Sequence, residues 1–383
     1  MGMEVILVGP LPTPAVPHLM RTLRADIGVM ITASHNTYEY NGIKFFNIDG
    51  FKISSKLEKE IENIVLNKKK YSKILNSNNK TGKAIRLEDA SGRYSEFLKG
   101  TLNKNIKTKK LKIVLDCGNG ATYDIAPSIF WELGHQVVSI NNKPNGKNIN
   151  YNCGAVNVGS LCKKVVEEKA DIGFAFDGDG DRIIVVDDKG NEIDGDKIIA
   201  LFAKYLIIEK KTASKFPVVT TVMSNLGLEN FLLKDLGIKL KRSPVGDINV
   251  IEEMKKNKSF LGGEQSGHII LSDFSKTGDG ILAALKITEI MSIIKKSSSS
   301  IFDLYDNLPQ IKVNISYKKI SEKTKKNIKD LNKKNSRDKK IRVLIRFSGT
   351  EPLIRLLVEG QDLKIVQQKA KNLELEIRNI IGQ

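Results

Sequence analysis

Short apolar runs alternate with stretches of helical period along most of this chain. Glu4–Val8 reads as a strand, and the Pro-rich turn Gly9–Pro14 leads into a helix that begins at Pro14, where proline suits the first turn. Asp26–Thr32 reads as a second strand ending in Ala33-Ser34-His35-Asn36, and a helix falls near Ser55–Val65. Leu111–Asp116 reads as a buried strand. Gly118–Ala121 then opens a helix near Ala126–Leu133, and Gln136–Ile140 forms the next strand. This βαβ pattern repeats through Ala170–Phe176, and again through Pro217–Val222, a helix near Leu226–Leu236 and a strand near Ile238–Arg242. After Pro309 the texture changes: Ile311–Ser316, Arg342–Arg346 and Leu353–Val358 read as strands. The last helix carries Leu363, Val366, Ala370, Leu373, Ile377 and Ile380 on one face. The pattern predicts an α/β protein of three α/β domains and a small α+β C-terminal domain. The boundaries fall at 1–105, 106–191, 192–308 and 309–383.

Length and composition narrow the class. A chain of 383 residues with 40% hydrophobic content can bury a sizeable core. No apolar run of about 18 residues occurs, and no basic-then-apolar leader opens the chain, so a cytoplasmic protein is expected. Cys117, Cys153 and Cys162 are too scattered for a disulfide framework or a zinc site. The net charge of +18 raises nucleic acid as a partner, but aromatic content is only 6% and does not interleave with the basic runs. No nucleic-acid or membrane partner is expected. The charge favours small anionic substrates.

The densest chemistry is Asp177-Gly178-Asp179-Gly180-Asp181-Arg182, directly after the apolar run Ile172–Phe176. Carboxylates spaced by two converge on one side, and the glycines permit the tight backbone. Three converging carboxylates repel one another unless a divalent cation neutralises them, and Mg²⁺ suits a few carboxylates with a phosphate oxygen. A calcium loop of the EF-hand type fits poorly, because Arg182 and Asp188 stand where it needs Gly and Glu. A solvated acidic turn is the bland alternative, and a metal site is the better reading.

Three further stretches carry functional groups. Ser34 follows a strand, where a loop can present its hydroxyl, and His35 and Lys44 are the nearby groups able to assist it. A Ser-rich turn is the plain alternative. Gly262–His268 supplies Glu264, Gln265, Ser266 and His268, groups that suit sugar hydroxyls. Arg346–Pro352, with Arg355 beyond, offers backbone N–H groups, the Ser348 and Thr350 hydroxyls and two guanidiniums for phosphate. A polar turn is the competing reading of both.

Taken in order, these four motifs resemble the α-D-phosphohexomutase family over essentially the whole chain. The resemblance implies that Ser34 carries a phosphoryl group, primed by a hexose bisphosphate or by autophosphorylation. It implies one Mg²⁺ held by Asp177, Asp179, Asp181 and a phosphoserine oxygen on Ser34, with Arg182 facing phosphoryl group or substrate. His35 and Lys44 match positions tied to proton transfer. Glu264, Ser266 and His268 match the sugar-recognition loop, and Arg346, Ser348, Gly349, Thr350 and Arg355 the phosphate clamp. Glu264–His268, Asn148-Ile149-Asn150, Cys153-Gly154-Ala155 and Asn157 are similar to the glucosamine-specific members. The implied reaction converts glucosamine 6-phosphate to glucosamine 1-phosphate through a bisphosphorylated sugar and feeds UDP-N-acetylglucosamine synthesis, in a monomer or homodimer.

Two departures qualify the match. Thr37 stands where the family usually has proline, which leaves the Ser34 loop less restricted. The family's opening Gly-Thr-Asp-Gly-Ile-Arg-Gly-like segment has no counterpart before Glu4. A truncated first domain with an open sheet edge is therefore expected. The alternatives are a glucose- or mannose-specific mutase, or an inactive relative that only binds sugar phosphates.

Overall fold

The computed structural model describes residues 2–76, 81–207, 216–335, 341–348 and 352–382. The chain forms two units: Met1–Thr221 with Leu240–Leu304, and Val222–Lys239 with Tyr305–Gln383.

In the first unit, the central apolar runs become buried strands, while the edge strand Gln136–Ile140 stays partly exposed. Lys112–Asp116 lies between Gln136–Ile140 and Ile172–Phe176, all parallel, with Ile113 opposite both Val137 and Ile172. Ile183–Asp187 then returns antiparallel beside Ile172–Phe176, and Glu192–Ile193 closes the edge. Every residue of Ile172–Phe176 and Ile183–Asp187 is buried. The helix Gly159–Glu167 packs Leu161 and Val165 against Val114, Ala175 and Val186. Each fully buried Leu, Ile or Val contributes about 1.5–3 kcal/mol.

A second sheet repeats the theme in the order Leu240–Ser243, Val218–Thr221, Leu261–Gly263, Ile269–Leu271, with only the last strand antiparallel. The helix Asp247–Asn257 covers it through Val250, Ile251 and Met254. Beyond it runs Gly280–Ile294, buried from Gly280 to Ser292. Asp279 caps this helix by accepting the Leu282 N–H at 2.9 Å, and the Tyr94 hydroxyl donates to its other oxygen at 2.7 Å.

The N-terminal region holds two strand pairs: Val5–Leu7 parallel to Ala84–Arg86, and Gly28–Ile31 antiparallel to Ile43–Phe46. Val29, Ile31 and Ile43 are half or more exposed on the second pair. The helix Ala15–Leu23 packs Val16 and Met20 onto Phe46.

The second unit is an antiparallel sheet in the order Gln310–Ser316, Leu353–Gly360, Ile341–Phe347. The helix Leu363–Ile381 buries Val366, Ala370, Leu373 and Ile377 on it, with Ile380 partly buried; of the face that the spacing predicts, Leu363 in the first turn is instead half exposed. Glu359 is fully buried yet accepts from Arg342 at 2.7 Å, the Leu226 N–H at 2.8 Å and Gln310 at 3.1 Å. Arg342 also donates to the Val222 carbonyl and, at 3.1 Å, to that of Ser224. This paired, hydrogen-bonded charge explains why Val222–Lys239 joins this sheet and not the strands before it.

Candidate active site

The strand Ile172–Phe176 ends inside the fold, and the turn to Ile183–Asp187 brings Asp177, Asp179 and Asp181 together. Their oxygens lie within 4.8 Å of one another. All three are buried, at 0%, 1% and 2% exposure, so solvent cannot screen them. Gly180 makes the turn at φ 68°. At Gly178 a Cβ would sit 2.8 Å from the Ser34 carbonyl oxygen and 2.6 Å from Asn150 Nδ2, so only glycine lets these segments meet.

Protein groups partly neutralise the triad. Lys44 donates to Asp179 Oδ2 at 2.5 Å and to Asp181 Oδ2 at 2.8 Å. Burial pulls its ammonium pKa down, but Asp181 and Asp179 outweigh that and hold it above the ordinary lysine value. The Arg182 N–H donates to Asp177 Oδ1 at 3.1 Å. Thr13, fully buried, donates its hydroxyl to Asp179 Oδ2 and its N–H to the Asp179 carbonyl. Burial, with Asp181 and Asp179 beside it, pushes the Asp177 carboxyl well up. Asp179 Oδ1 is buried without a hydrogen-bond partner, and buried Asp181 Oδ1 has His268 Nδ1 near it, at 3.5 Å. Such carboxylate oxygens in a buried acidic cluster are the donor set a hard divalent cation takes, so the residues fit Mg²⁺.

Ser34 arrives from the hairpin Gly28–Ile31/Ile43–Phe46, in which Lys44 lies opposite Met30 and Thr32 N–H closes the loop onto the Gly42 carbonyl at 2.9 Å. Ser34 sits at φ 55°, a left-handed conformation uncommon for a side-chain-bearing residue. Its hydroxyl donates to Asp177 Oδ2 at 3.0 Å, and its N–H donates to Thr32 Oγ1 at 2.8 Å. His35 Nδ1 is buried without a partner. Burial first, then Arg182, hold this imidazole below its ordinary pKa.

Glu264–His268 is the turn between Leu261–Gly263 and Ile269–Leu271. Glu264 accepts the Gly246 N–H at 3.0 Å, and Ser266 is exposed at the tip with its hydroxyl 3.4 Å from Glu264 Oε2. The Gly267 carbonyl accepts the Ile183 N–H at 3.0 Å, which ties this loop to the strand after the triad. His268 is buried. It accepts the Gly278 N–H on Nε2 at 3.1 Å and sets Nδ1 3.5 Å from Asp181 Oδ1. His268 thus faces the carboxylates, Glu264 is buried with its charge acting on Arg182, and only Ser266 is exposed.

In the second unit, Arg346 and Arg355 lie opposite each other on adjacent strands. With Lys312, Asn314, Met223 and Leu344 they line a cavity of about 130 Å³. Burial, then the Arg355 charge, lower the Arg346 pKa, the electrostatics of a site that gains by taking an anion. The Ser348 N–H donates to the Leu353 carbonyl at 2.8 Å. Gly349 and Thr350 lie outside the described residues.

The structure therefore gathers Ser34, His35, Lys44, the aspartates, Arg182 and the 264–268 loop in one unit. Sequence reasoning passed over Thr13 and Asp247; Asp247 pairs with Lys52 and lies 4.0 Å from His268. Nothing local marks either residue.

Comparison with known proteins agrees with this assembly. Four family models match in order: phosphoglucomutase/phosphomannomutase α/β/α domain I at residues 1–72, domain II at 92–190, domain III at 194–310 and the C-terminal domain at 311–375. A phosphoglucosamine mutase of Parvibaculum lavamentivorans is 47% identical over 99% of this chain and 84% of its own length. One from Campylobacter jejuni is 46% identical over 97% of this chain and 83% of its own. Among solved structures, a phosphoglucomutase/phosphomannomutase family protein from Burkholderia thailandensis superposes with a TM-score of 0.82 at 21% identity, over 99% of this chain and 83% of that one. Aspergillus fumigatus N-acetylphosphoglucosamine mutase, in complex with GlcNAc-6P and magnesium, gives a TM-score of 0.68 at 18% identity, over 96% and 92%. The chain belongs to the phosphoglucosamine mutases of the phosphoglucomutase/phosphomannomutase family, isomerases that move a phosphoryl group on a hexose.

Proposed function

We propose that this chain interconverts glucosamine 6-phosphate and glucosamine 1-phosphate, with Ser34 as the phosphoryl carrier. The observation that carries the reading is the Ser34 hydroxyl 3.0 Å from Asp177, at the mouth of a buried carboxylate triad. Asp177, Asp179 and Asp181 would hold Mg²⁺ together with an oxygen of phosphorylated Ser34. When bound, Mg²⁺ supplies charge neutralisation for the phosphoryl oxygens.

Phosphorylated Ser34 gives its phosphoryl group to O1 of glucosamine 6-phosphate. The new O1–P bond forms as the Ser34 Oγ–P bond breaks, and the O1 proton leaves to a base. His35 Nδ1, buried and without a partner, is the acceptor in reach of the serine loop. Lys44 already donates to Asp179 and Asp181 and acts as their fixed counter-charge. The bisphosphorylated sugar then returns its 6-phosphoryl group: the Ser34 Oγ–P bond re-forms as the O6–P bond breaks, and O6 takes the proton that His35 accepted from O1. Arg182 stands beside Asp177 to face the transferring group. Glu264 and Ser266 recognise the sugar. Arg346, Ser348, Gly349, Thr350 and Arg355 hold the phosphate that does not react, which the Arg346–Arg355 pairing supports.

The domain boundaries at 105, 191 and 308, priming by a hexose bisphosphate and a cytoplasmic monomer or homodimer belong to the same proposal. Among the described residues, no helix is long and apolar enough to cross a membrane.

The test is Mg²⁺-dependent turnover of glucosamine 6-phosphate after priming with a hexose 1,6-bisphosphate, with glucose 1-phosphate in parallel and Ser34→Ala as control. Turnover that prefers the amino sugar and vanishes in the variant is expected. Equal or better use of glucose 1-phosphate would overturn the substrate assignment. Activity that survives Ser34→Ala would overturn the carrier.

A further inference from the structure

Ser34 must stay in an unfavourable backbone conformation with its hydroxyl in register with Asp177. A left-handed residue bearing a side chain costs on the order of 1 kcal/mol or more and persists only where its surroundings over-determine it. The loop's own contacts are few: Ser34 N–H on Thr32 Oγ1, and Asn36 N–H on the Ala33 carbonyl at 3.1 Å. The remaining hold comes from a distant residue. Asn150 Nδ2 donates to the Ser34 carbonyl at 2.9 Å and to the Asn36 carbonyl at 2.8 Å. The two carbonyls belong to the residues on either side of His35, so one carboxamide uses both hydrogens to fix the Ser34–His35 and Asn36–Thr37 peptide units.

Asn150 is itself anchored. It is only 4% exposed and lies at φ 55°, a conformation asparagine tolerates better than most residues. Its N–H donates to the Gly118 carbonyl at 2.9 Å, next to the strand Lys112–Asp116. Gly178 packs against both its Nδ2 and the Ser34 carbonyl. The segment that bears the aspartates, Asn150 and the serine loop are thus stacked in one place.

We propose that Asn150 is a positioning residue for phosphoryl transfer, clamping the Ser34 and Asn36 carbonyls so that the Ser34 hydroxyl meets the carboxylate triad. The inference rests on Ser34 being the phosphoryl carrier. It also offers a physical substitute for the stiffness absent at Thr37, because Asn150 holds the very Asn36 carbonyl that a following proline would orient.

Two variants isolate the clamp. Asn150→Gly keeps the left-handed backbone and removes the amide. Asn150→Asp keeps shape and backbone tolerance but sets an acceptor against two carbonyls. Both are expected to lower kcat for glucosamine 6-phosphate about 10- to 100-fold, the scale of a misplaced reacting group, with KM changed less than about twofold. Wild-type kcat in either folded variant would overturn the clamp. Circular dichroism reports folding. Should neither variant fold, nitrogen-15 NMR of the wild-type Asn150 side-chain amide decides. Slow solvent exchange of both hydrogens is expected, and free exchange would overturn the proposal. Ser34→Ala separates the two levels: an inactive Ser34→Ala beside fully active Asn150 variants removes only the clamp, whereas an active Ser34→Ala removes the carrier and the clamp with it.

Discussion

Lys44 shows how a single residue makes an acidic site tolerable. Its ammonium touches two of three buried carboxylates, and removing one partner of such a cluster leaves charge uncompensated in a dry place. Lys44→Met is expected to lower the unfolding free energy by about 3 kcal/mol in chelator, with Mg²⁺ recovering part of the loss; urea unfolding with and without EDTA measures it. The triad was legible in the sequence because alternating Asp and Gly after an apolar strand is local chemistry. Thr13 was not, because its bond to Asp179 spans 166 positions and its neighbours, Pro12 and Pro14, advertise only a turn. Asn150 was visible only as part of a likeness to the glucosamine-specific members, since both carbonyls it holds lie more than 110 positions away. His268 illustrates the same limit: its residue type suits sugar hydroxyls, but its burial beside Asp181 is set by a partner 87 positions away.

At the scale of elements, strands with continuous apolar runs were read within a few residues, as at Gln136–Ile140 and Ile172–Phe176. The helix Gly280–Ile294 was not, because it is buried all round and lacks the polar stripe that reveals an amphipathic helix. Even its Lys286 and Glu289 are inside, paired at 2.9 Å. Ile183–Asp187 was also passed over, since nothing in an apolar pentapeptide tells an antiparallel return from a loop end. The cap of the buried helix gives a test of the element as a whole. Burial raises the Asp279 carboxyl to about 6, although the Leu282 N–H and the Tyr94 hydroxyl pull the other way. The folded state therefore binds a proton more readily than the unfolded chain between pH 3.8 and about 6. Stability from this group is complete below the lower value and is lost as pH rises through the upper one. Asp279→Asn keeps an oxygen for Leu282 and carries no charge, so it is expected to gain on the wild type by about 2–3 kcal/mol between pH 4 and pH 7. Urea unfolding at the two pH values measures this, and a gap that narrows with rising pH would contradict it. Asp279→Ala, which abandons the cap and orphans Tyr94, is expected to cost about 2–3 kcal/mol at pH 7.

Over the whole molecule, the boundary hardest to foresee was the grouping of Val222–Lys239 with the C-terminal sheet, because Glu359 and Arg342 reach back more than 100 positions to hold it. The net charge of +18, by contrast, was legible but uninformative about fold; it bears on how anionic sugar phosphates are drawn in. Stability is the global quantity that the metal site should control. In the metal-free protein Asp177 is buried and pushed toward its protonated form by burial and by Asp181 and Asp179, so the fold carries a repulsion that a divalent cation relieves. A ligand that binds only the folded state at 100 times its Kd adds about 2.7 kcal/mol, worth several degrees in Tm for a chain of this kind. Mg²⁺ is expected to raise the Tm by that amount and EDTA to reverse it. Asp177→Asn is expected to abolish the Mg²⁺-dependent rise while leaving the Tm in EDTA no lower than wild type, because one buried charge has been removed. Differential scanning calorimetry with and without Mg²⁺ makes the comparison. A rise that survives Asp177→Asn would place the cation elsewhere, and a variant that melts lower in EDTA would show that the hydrogen bonds from Ser34 and the Arg182 N–H outweigh the repulsion.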